Sequence, residues 1–389
     1  MDAETSRGIS RFFDGLDDPR VVGRCDHGLI DIVMLALVAL MGDCDDWVEV
    51  EMFGQTHEAW FKRFLKLPHG IPSHDTFERV FARLCPKQMN ACFERWMSYL
   101  CKAVTGESKT IAIDGKTLRG SASARSGDDD TDLPGALHSV SAWAQEAKLV
   151  LAQVVCDDKS NEITAIPKLI EMLELGGCTV TLDAMGCQRA IAQQLHEKKA
   201  DYVLALKDNH PTLHTQAILL LAEADDEPVM FKPATLCTDE RSRGRHEVRT
   251  YTTVKLNART SHRIVRDPWP GLNAVGRVVS ERTVKGKTTT QTRYYLLSAA
   301  DADVERFAKA VRGHWGIENS AHWVLDVIFG EDANRTSKDH APENLAILRR
   351  LAMNLFRANR KRTNVALKNQ RKKIGWNIDF VTELLTHAI

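Results

Sequence analysis

Apolar residues in the first hundred positions recur at the spacing of amphipathic and buried helices. The most apolar run, Leu29–Met41, is too short to cross a bilayer, so it predicts a buried helix. Further along, Phe77, Val80 and Phe81 fall on one helical face. The pattern therefore predicts an N-terminal helical domain over residues 1–105.

From residue 109 onward the pattern becomes mixed, with short apolar runs typical of strands between helical segments. Helices are predicted at residues 163–173 and 189–198, before and after the fourth strand. The predicted strands are residues 110–113, 136–144, 149–156, 179–182 and 202–206. The order β-β-β-α-β-α-β is that of a ribonuclease-H-like α/β fold, in which the first and fourth strands lie side by side.

A long alternation of the β type follows the fifth predicted strand. Polar and apolar residues alternate through about residues 236–299, for example in residues 248–254 and 289–296. We therefore expect a β-rich insertion over about residues 212–300, followed by one more helix. The whole of residues 106–389 is predicted to be a ribonuclease-H-like catalytic core that carries this insertion.

Three carboxylates stand in settings suited to holding a metal ion. Asp114 and Asp183 end short apolar runs, and Glu318 lies inside an amphipathic helix. Each alone is weak support, because Asp is common in turns and helix caps. Together, two strand-borne Asp and one helix-borne Glu can converge at one end of a sheet, where oxygen ligands suit Mg²⁺ or Mn²⁺. This combination is typical of two-metal phosphoryl transfer and indicates nucleic-acid chemistry.

The sequence around these carboxylates carries a specific resemblance. The blocks that carry it are IDGKTLRGS (113–121), HSVSAW (138–143), KSNEITAIP (159–167), TLDAMGCQ (181–188) and HWGIEN with LDVIFGEDA (314–333). In this order they resemble the DDE transposases of ISAs-type insertion sequences, also known as H-repeat-associated proteins. The resemblance implies that Asp114, Asp183 and Glu318 form the catalytic, metal-binding triad.

The same resemblance implies the reaction and its partners. Two Mg²⁺ or Mn²⁺ ions are expected, with Asp114 binding both and Asp183 and Glu318 each binding one. The expected activity is cleavage and strand transfer of double-stranded DNA, at transposon ends and target, by a homodimer assembled on DNA. For residues 1–105, recognition of transposon ends and a purely supporting role remain open alternatives.

The predicted final helix places several polar residues on one face. His314, Glu318, His322 and Asp326 are spaced four apart, so they share that face. A zinc site on His314, Glu318 and His322 is disfavoured, because the H-E-x-x-H pattern is absent. We instead expect both histidines to contact phosphate or to orient Glu318.

This helix departs from the pattern of the wider transposase superfamily. Val311, His314 and Leu325 stand where that superfamily carries Tyr, Arg and Lys, which leaves open which cation meets the DNA backbone. Trp315 and Trp323 are expected to be core residues, because large aromatic side chains are usually buried.

Basic residues near the triad and in the C-terminal segment 349–389 are the expected DNA contacts. Between Arg357 and Lys373 there are eight Arg or Lys and no acid, although such runs are often only solvated. Arg245 and Arg249 alternate with Glu247 on one strand face, which suits DNA contact or an ion-paired strand equally. The predicted DNA-binding residues are Lys116, Arg119, Arg245, Arg249, His314, His322, Arg349, Arg350, Arg360, Lys361 and Arg362.

Composition indicates the cellular compartment of the protein and limits its mode of nucleic-acid binding. The 52 basic and 52 acidic side chains give no net charge, which argues against wholesale coating of nucleic acid. Nine Cys without a C-x-x-C pair suit a reducing compartment, so we expect a cytoplasmic, nucleoid-associated protein without a membrane span. Open alternatives are a domesticated or inactive copy that only binds DNA, a metal-dependent nuclease on the same fold, and a helical interaction protein.

Overall fold

The computed structural model describes residues 8–386 apart from 22, 24, 105–109, 123–135, 157–161, 243, 258–259, 261–263, 265–268, 300–301 and 361–362. The predicted helical character of the N-terminal part is confirmed. After a short 3₁₀ turn at Arg11–Phe13, its helices are α1 (Leu29–Met41), α2 (Trp47–Thr56), α3 (Glu58–Phe61), α4 (His74–Arg83) and α5 (Pro86–Val104). The N-terminus of α2 is capped by Asp46, whose carboxylate accepts a hydrogen bond from the Glu49 N–H at 2.8 Å. In the described part of the chain, no helix is long and apolar enough to span a membrane.

The first five strands form one side of a mixed sheet. They are β1 (Thr110–Leu118), β2 (Leu137–Ala144), β3 (Leu149–Val155), β4 (Thr179–Leu182) and β5 (Asp201–Leu206), in the order β3-β2-β1-β4-β5. The strands β1, β4 and β5 run parallel, while β2 and β3 are antiparallel to their neighbours. The predicted adjacency of the first and fourth strands is confirmed by the pairing of Ile113 with Leu182.

The first strand is longer than the sequence predicted. Asp114 does not end β1, because β2 continues to pair with it as far as Leu118. On its other side β1 loses its partner, since β4 ends at Leu182. Asp114 therefore lies in a strand that is paired on one side only, and Asp183 follows directly after the neighbouring strand. This arrangement opens an edge of the sheet at the two carboxylates.

Side chains of β1 alternate between two hydrophobic cores, as the period of a strand requires. Ile111 and Ile113 face a core that includes helices α6 (Glu162–Glu171) and α7 (Arg189–Glu197). Ala112 faces the opposite core, which is built largely from helical residues of both ends of the chain. The sheet is thus covered on both faces at β1.

The interval after β5 begins with helices and only then becomes β-rich. Helices α8 (Pro211–Asp226) and α9 (Pro228–Phe231) come first, so the expectation of a mostly β structure from residue 212 is wrong for its first twenty residues. Leu220 and Leu221 of α8 are buried. The expected strands then follow as β6 (Ala234–Ser242), β7 (Arg245–Lys255), β8 (Ala274–Val284) and β9 (Lys287–Leu297). Because β9 pairs with β5, these strands extend the sheet to nine rather than forming a separate one.

The remaining helices return to the first five strands and to the N-terminal helices. They are α10 (Val304–Gly316), a π-helical turn (Ile317–His322), α11 (Trp323–Val327), α12 (Ala341–Ala358), α13 (Leu367–Trp376) and α14 (Asp379–Thr386). The helix α12 is buried among α1, α4, α5 and β3. Residues from both ends of the chain therefore share one hydrophobic core.

Candidate active site

The three predicted carboxylates line one cavity. Asp114 from β1, Asp183 after β4 and Glu318 from the π-helical turn all contribute to a cavity of about 240 Å³ at the open edge of the sheet. The cavity is also lined by Thr181, Lys207, Arg293, His314 and Trp315. Residues more than 200 positions apart thus meet at one place, as the sequence predicted for the triad.

Local hydrogen bonds fix the segment that carries Asp183. The Gly186 N–H donates to Asp183 Oδ1 at 3.1 Å, which closes a tight turn after β4. The Asn209 side chain donates to the carbonyl oxygen of Ala184 at 2.6 Å. These contacts tie the loop after β4 to the loop after β5, so Asp183 is held by two neighbouring loops.

The helix that carries Glu318 is not a regular α-helix. Residues Ile317–His322 form a π-helical turn, an uncommon geometry that is frequent at functional sites. The expected single α-helical face is therefore broken at Glu318. His314 lies in the cavity and pairs with Thr181 Oγ1 at 3.0 Å, whereas His322 Nδ1 lies 3.7 Å from Asp114 Oδ2.

Burial and like charges dominate the electrostatics of the cavity. The pKa of Asp114 rises from 3.8 to about 7, because the carboxyl is buried and because the charges of Glu162, Glu318 and Asp183 oppose its ionisation. Burial together with the charges of Arg350 and Lys116 lowers the pKa of His322 to about 3. His322 is therefore uncharged near pH 7 and does not neutralise Asp114. Burial also lowers the pKa of His314.

The donor set suits a hard divalent cation. Mg²⁺ takes one or two protein carboxylates together with water and substrate oxygens, and three carboxylates around one cavity supply such ligands. In the described ranges no three His, Cys, Asp or Glu side chains already stand close enough to hold an ion. Like charges without a cation between them repel, and the Glu318 side chain is exposed. The set proposed for zinc, His314, Glu318 and His322, is likewise not assembled.

A second acidic cluster lies beside the first, and basic side chains of the protein neutralise its charge. Lys116, two residues after Asp114, is buried and pairs with Asp326 at 2.6 Å and Glu331 at 3.0 Å. Arg350 binds Glu331 at 2.9 Å, and both side chains are fully buried. The predictions that Lys116 and Arg350 contact DNA are therefore wrong, because both cations are taken up by buried carboxylates.

The basic C-terminal segment contains both buried and exposed cations. Arg349 is 2% exposed and Arg371 is fully buried, so the predicted DNA contact by Arg349 is also wrong. Arg371 binds Asp43 and Asp45, each at 3.1 Å. These arginines occur on helices whose neighbours supply acids from distant parts of the chain, which the local run of charges does not reveal. Arg360 is exposed, and residues 361 and 362 lie outside the described part of the chain.

Two of the basic residues predicted on the insertion differ in environment. Arg249 is buried and binds Glu240 at 3.2 Å and Glu247 at 2.5 Å, so the ion-paired alternative holds for it. Arg245 is exposed and lines a groove of about 320 Å³ on the insertion. Arg293 and Trp315 line both the groove and the cavity of the triad, so the two are adjacent. The predicted contact residue Arg119 is also exposed.

The sequence missed or misjudged several residues in and around the candidate site. Trp315 and Trp323 are 41% and 53% exposed, so the expectation that they are core residues is wrong. The Arg293 guanidinium lies 4.9 Å from the centre of the Trp315 ring. Lys207 follows β5 as Asp183 follows β4, and this parallel position could have pointed to it. Glu162 was given no role, although its charge acts on Asp114.

Comparisons with known proteins agree along most of the chain. The family model described as "Transposase DDE domain" matches residues 105–355, and its associated domain matches residues 10–97. The candidate transposase YncI of Escherichia coli O157:H7 is 37% identical over 377 residues, which cover 95% of this chain and 92% of that protein. The H repeat-associated candidate transposase YhhI of Escherichia coli K12 is 33% identical, with 95% of each chain covered. A solved piggyBac transposase synaptic complex with hairpin DNA aligns over 98% of this chain and 78% of its own, with a TM-score of 0.40 and 11% identity.

Proposed function

The chain belongs to the family of transposases with a DDE domain. We propose that it is a DNA transposase that binds the ends of its own insertion sequence. In this proposal it cuts and joins DNA with two divalent cations. The observation that carries this proposal is the convergence of Asp114, Asp183 and Glu318 on one cavity. Three acids from distant segments meet there, and burial together with neighbouring acids raises the pKa of Asp114.

We interpret the first five strands as a ribonuclease-H-like core. The order β3-β2-β1-β4-β5, with β1 parallel to β4, supports this assignment. In this proposal residues 1–105 form a helical domain that recognises transposon ends, and residues 106–389 form the catalytic domain with its insertion. The active form is a homodimer assembled on DNA, in the cytoplasm and associated with the nucleoid.

In the proposed mechanism Asp114, Asp183 and Glu318 would hold the two divalent cations. Bound cations would activate the attacking water or DNA 3′-hydroxyl and stabilise the leaving oxygen. The turn at Gly186 keeps Asp183 oriented toward the cavity. The π-helical turn carries Glu318, whose exposed side chain lines the same cavity.

The groove on the insertion is the proposed path of the DNA into the cavity. Arg245 and Arg293 line it, and Lys207 stands in the cavity itself, so cations continue from the insertion to the triad. Such cations would neutralise backbone phosphates, which carry no sequence information. Exposed Trp315, between the groove and the triad, offers an aromatic surface to the DNA.

The test is cleavage of DNA that carries the inverted repeats flanking the gene. We expect Asp114→Asn, Asp183→Asn and Glu318→Gln each to abolish Mg²⁺-dependent cleavage and strand transfer while DNA binding persists. Each substitution removes a charge from the cation site and hardly alters side-chain shape. Asp208→Asn is the matched control, because its side chain is 99% exposed and follows the cavity residue Lys207.

Full activity in any one triad variant would remove that residue from the assignment. Cleavage without joined products in the wild-type protein would favour a metal-dependent nuclease instead. DNA binding without cleavage, under conditions in which Mg²⁺ is saturating, would favour an inactive or domesticated copy. The three outcomes are separated by one gel that resolves substrate, cleaved ends and strand-transfer products.

A further inference from the structure

Glu162 is the first residue of α6, and its carboxylate lies against β1 at the residue that follows Asp114. A Cβ atom added at Gly115 would fall 2.0 Å from Glu162 Oε1, so only glycine leaves room for this carboxylate. The Glu162 side chain is 15% exposed, which means that it is held within the structure rather than in solvent. Gly115, which follows Asp114, thus leaves the space that a fourth acid, Glu162, occupies.

His138 holds Glu162 in this position, and Thr117 in turn holds His138. His138 Nε2 lies 2.9 Å from Glu162 Oε1, and His138 Nδ1 lies 2.8 Å from Thr117 Oγ1. Thr117 and His138 are direct partners across β1 and β2, so the sheet itself fixes the histidine ring. The chain of contacts from Thr117 to Glu162 therefore anchors the carboxylate on the strand that carries Asp114.

The Glu162 carboxylate packs against Gly115, the residue that follows Asp114, so its charge lies close to Asp114 in the structure. Burial is the largest cause of the raised pKa of Asp114, and Glu162 is the largest of the charges that follow, ahead of Glu318 and Asp183. An anchored carboxylate beside a buried acid is unfavourable in the absence of a cation, because like charges repel in a partly desolvated place. The same charge becomes favourable once a divalent cation binds Asp114.

We propose that Glu162 is a positioning residue of the candidate active site, which acts through Asp114 to increase the affinity of the site for divalent cations. This inference rests on the proposed function, since it takes Asp114 as a cation ligand. Groups that support a metal ligand typically change metal affinity by about 10- to 100-fold when they are removed. Glu162 is therefore expected to tune cation binding without contacting the DNA.

The experiment is calorimetric titration of the full chain with Mn²⁺ in the absence of DNA. We expect Glu162→Gln to weaken Mn²⁺ binding by about tenfold or more. The amide oxygen can still accept a hydrogen bond from His138, so the substitution removes charge and keeps the contact. Glu171→Gln is the matched control: it removes the same charge from the exposed far end of α6, and its Mn²⁺ affinity should equal that of the wild type.

Thermal unfolding in EDTA separates this role from a merely structural one. A positioning role predicts that Glu162→Gln unfolds at the wild-type temperature or higher, because repulsion with Asp114 is relieved. Unchanged Mn²⁺ affinity in Glu162→Gln would overturn the inference, whether or not its unfolding temperature falls. If Glu162→Gln does not fold, His138→Ala gives the same test, since it releases the carboxylate from its anchor and should also weaken Mn²⁺ binding.

The Asp114→Asn variant distinguishes failure of this inference from failure of the proposed function. Loss of Mn²⁺ binding in Asp114→Asn, together with wild-type affinity in Glu162→Gln, would overturn only the role of Glu162. Wild-type Mn²⁺ affinity in Asp114→Asn would instead contradict the proposed cation site itself.

Discussion

Two acidic clusters meet β1 only two residues apart, and they differ in what balances their charge. The open cluster consists of Asp114, Asp183 and Glu318, which line a cavity. The neutralised cluster consists of Asp326, Glu331 and Asp332, with Lys116, Arg349 and Arg350 as its cations. Asp114 and Lys116 are separated by one residue of the same strand, so they lie on the same side of the sheet.

The two clusters shift the pKa values of their central acids in opposite directions. Burial alone would raise the pKa of Glu331, but the charges of Arg350 and Lys116 outweigh burial and hold that pKa well below 4.5. At Asp114, burial and neighbouring acids act together and raise the pKa to about 7. Burial alone therefore does not distinguish the two clusters; the cations around Glu331 and the acids around Asp114 do.

The sharpest way to break the neutralised cluster is Arg350→Met. Glu331 would then remain fully buried but would lose one of its cationic partners. Removal of one partner of a buried ion pair costs roughly 3–5 kcal/mol. We expect a loss of this size in the free energy of unfolding, measured by denaturant titration. Arg360→Met, on the exposed part of the same basic run, should change stability by less than about 0.5 kcal/mol. Similar small losses in both variants would refute the distinction between buried and solvated cations.

A smaller effect is expected from pH in EDTA, where the open cluster has no cation. Between pH 4 and 7 folded Asp114 keeps a proton that the unfolded chain has lost, so Asp114 makes the protein less stable as the pH rises through this window. Asp114→Asn lacks this term and should gain stability relative to the wild type from pH 4 to 7, by more than about 1.4 kcal/mol, the value of one pKa unit. Glu331 behaves in the opposite way, since its stabilisation is complete above pH 4.5 and is lost as the pH falls further. A constant difference between wild type and Asp114→Asn across pH 4–7 would contradict the open cluster.

The sequence was sufficient to predict the fold where the local hydrophobic pattern and the candidate chemistry coincide. The strands that carry Asp114 and Asp183 and their adjacency followed from apolar runs and their order. The environment of a charged side chain did not, because it depends on partners that are distant in the chain. Lys116 meets Asp326, and Arg371 meets Asp45, across more than 200 and 300 residues respectively.

Two further features were beyond the periodicity of the sequence. The π-helical turn around Glu318 changes which residues share one face of the helix. The spacing of four between the polar residues still predicts a regular α-helix. Exposure of Trp315 contradicts the general tendency of large aromatic residues to be buried, because this side chain stands at the rim of the cavity. Both departures fall at the candidate site, where local rules and function compete.

The most direct test of the central claim is anomalous diffraction from crystals of the full chain bound to DNA ends and Mn²⁺. We expect two manganese peaks about 3.5–4 Å apart among Asp114, Asp183 and Glu318, with none at the neutralised cluster around Glu331. Ordered triad carboxylates with no manganese between them at saturating Mn²⁺, or manganese bound only elsewhere, would contradict the claim that the open cluster receives its cations from outside the chain.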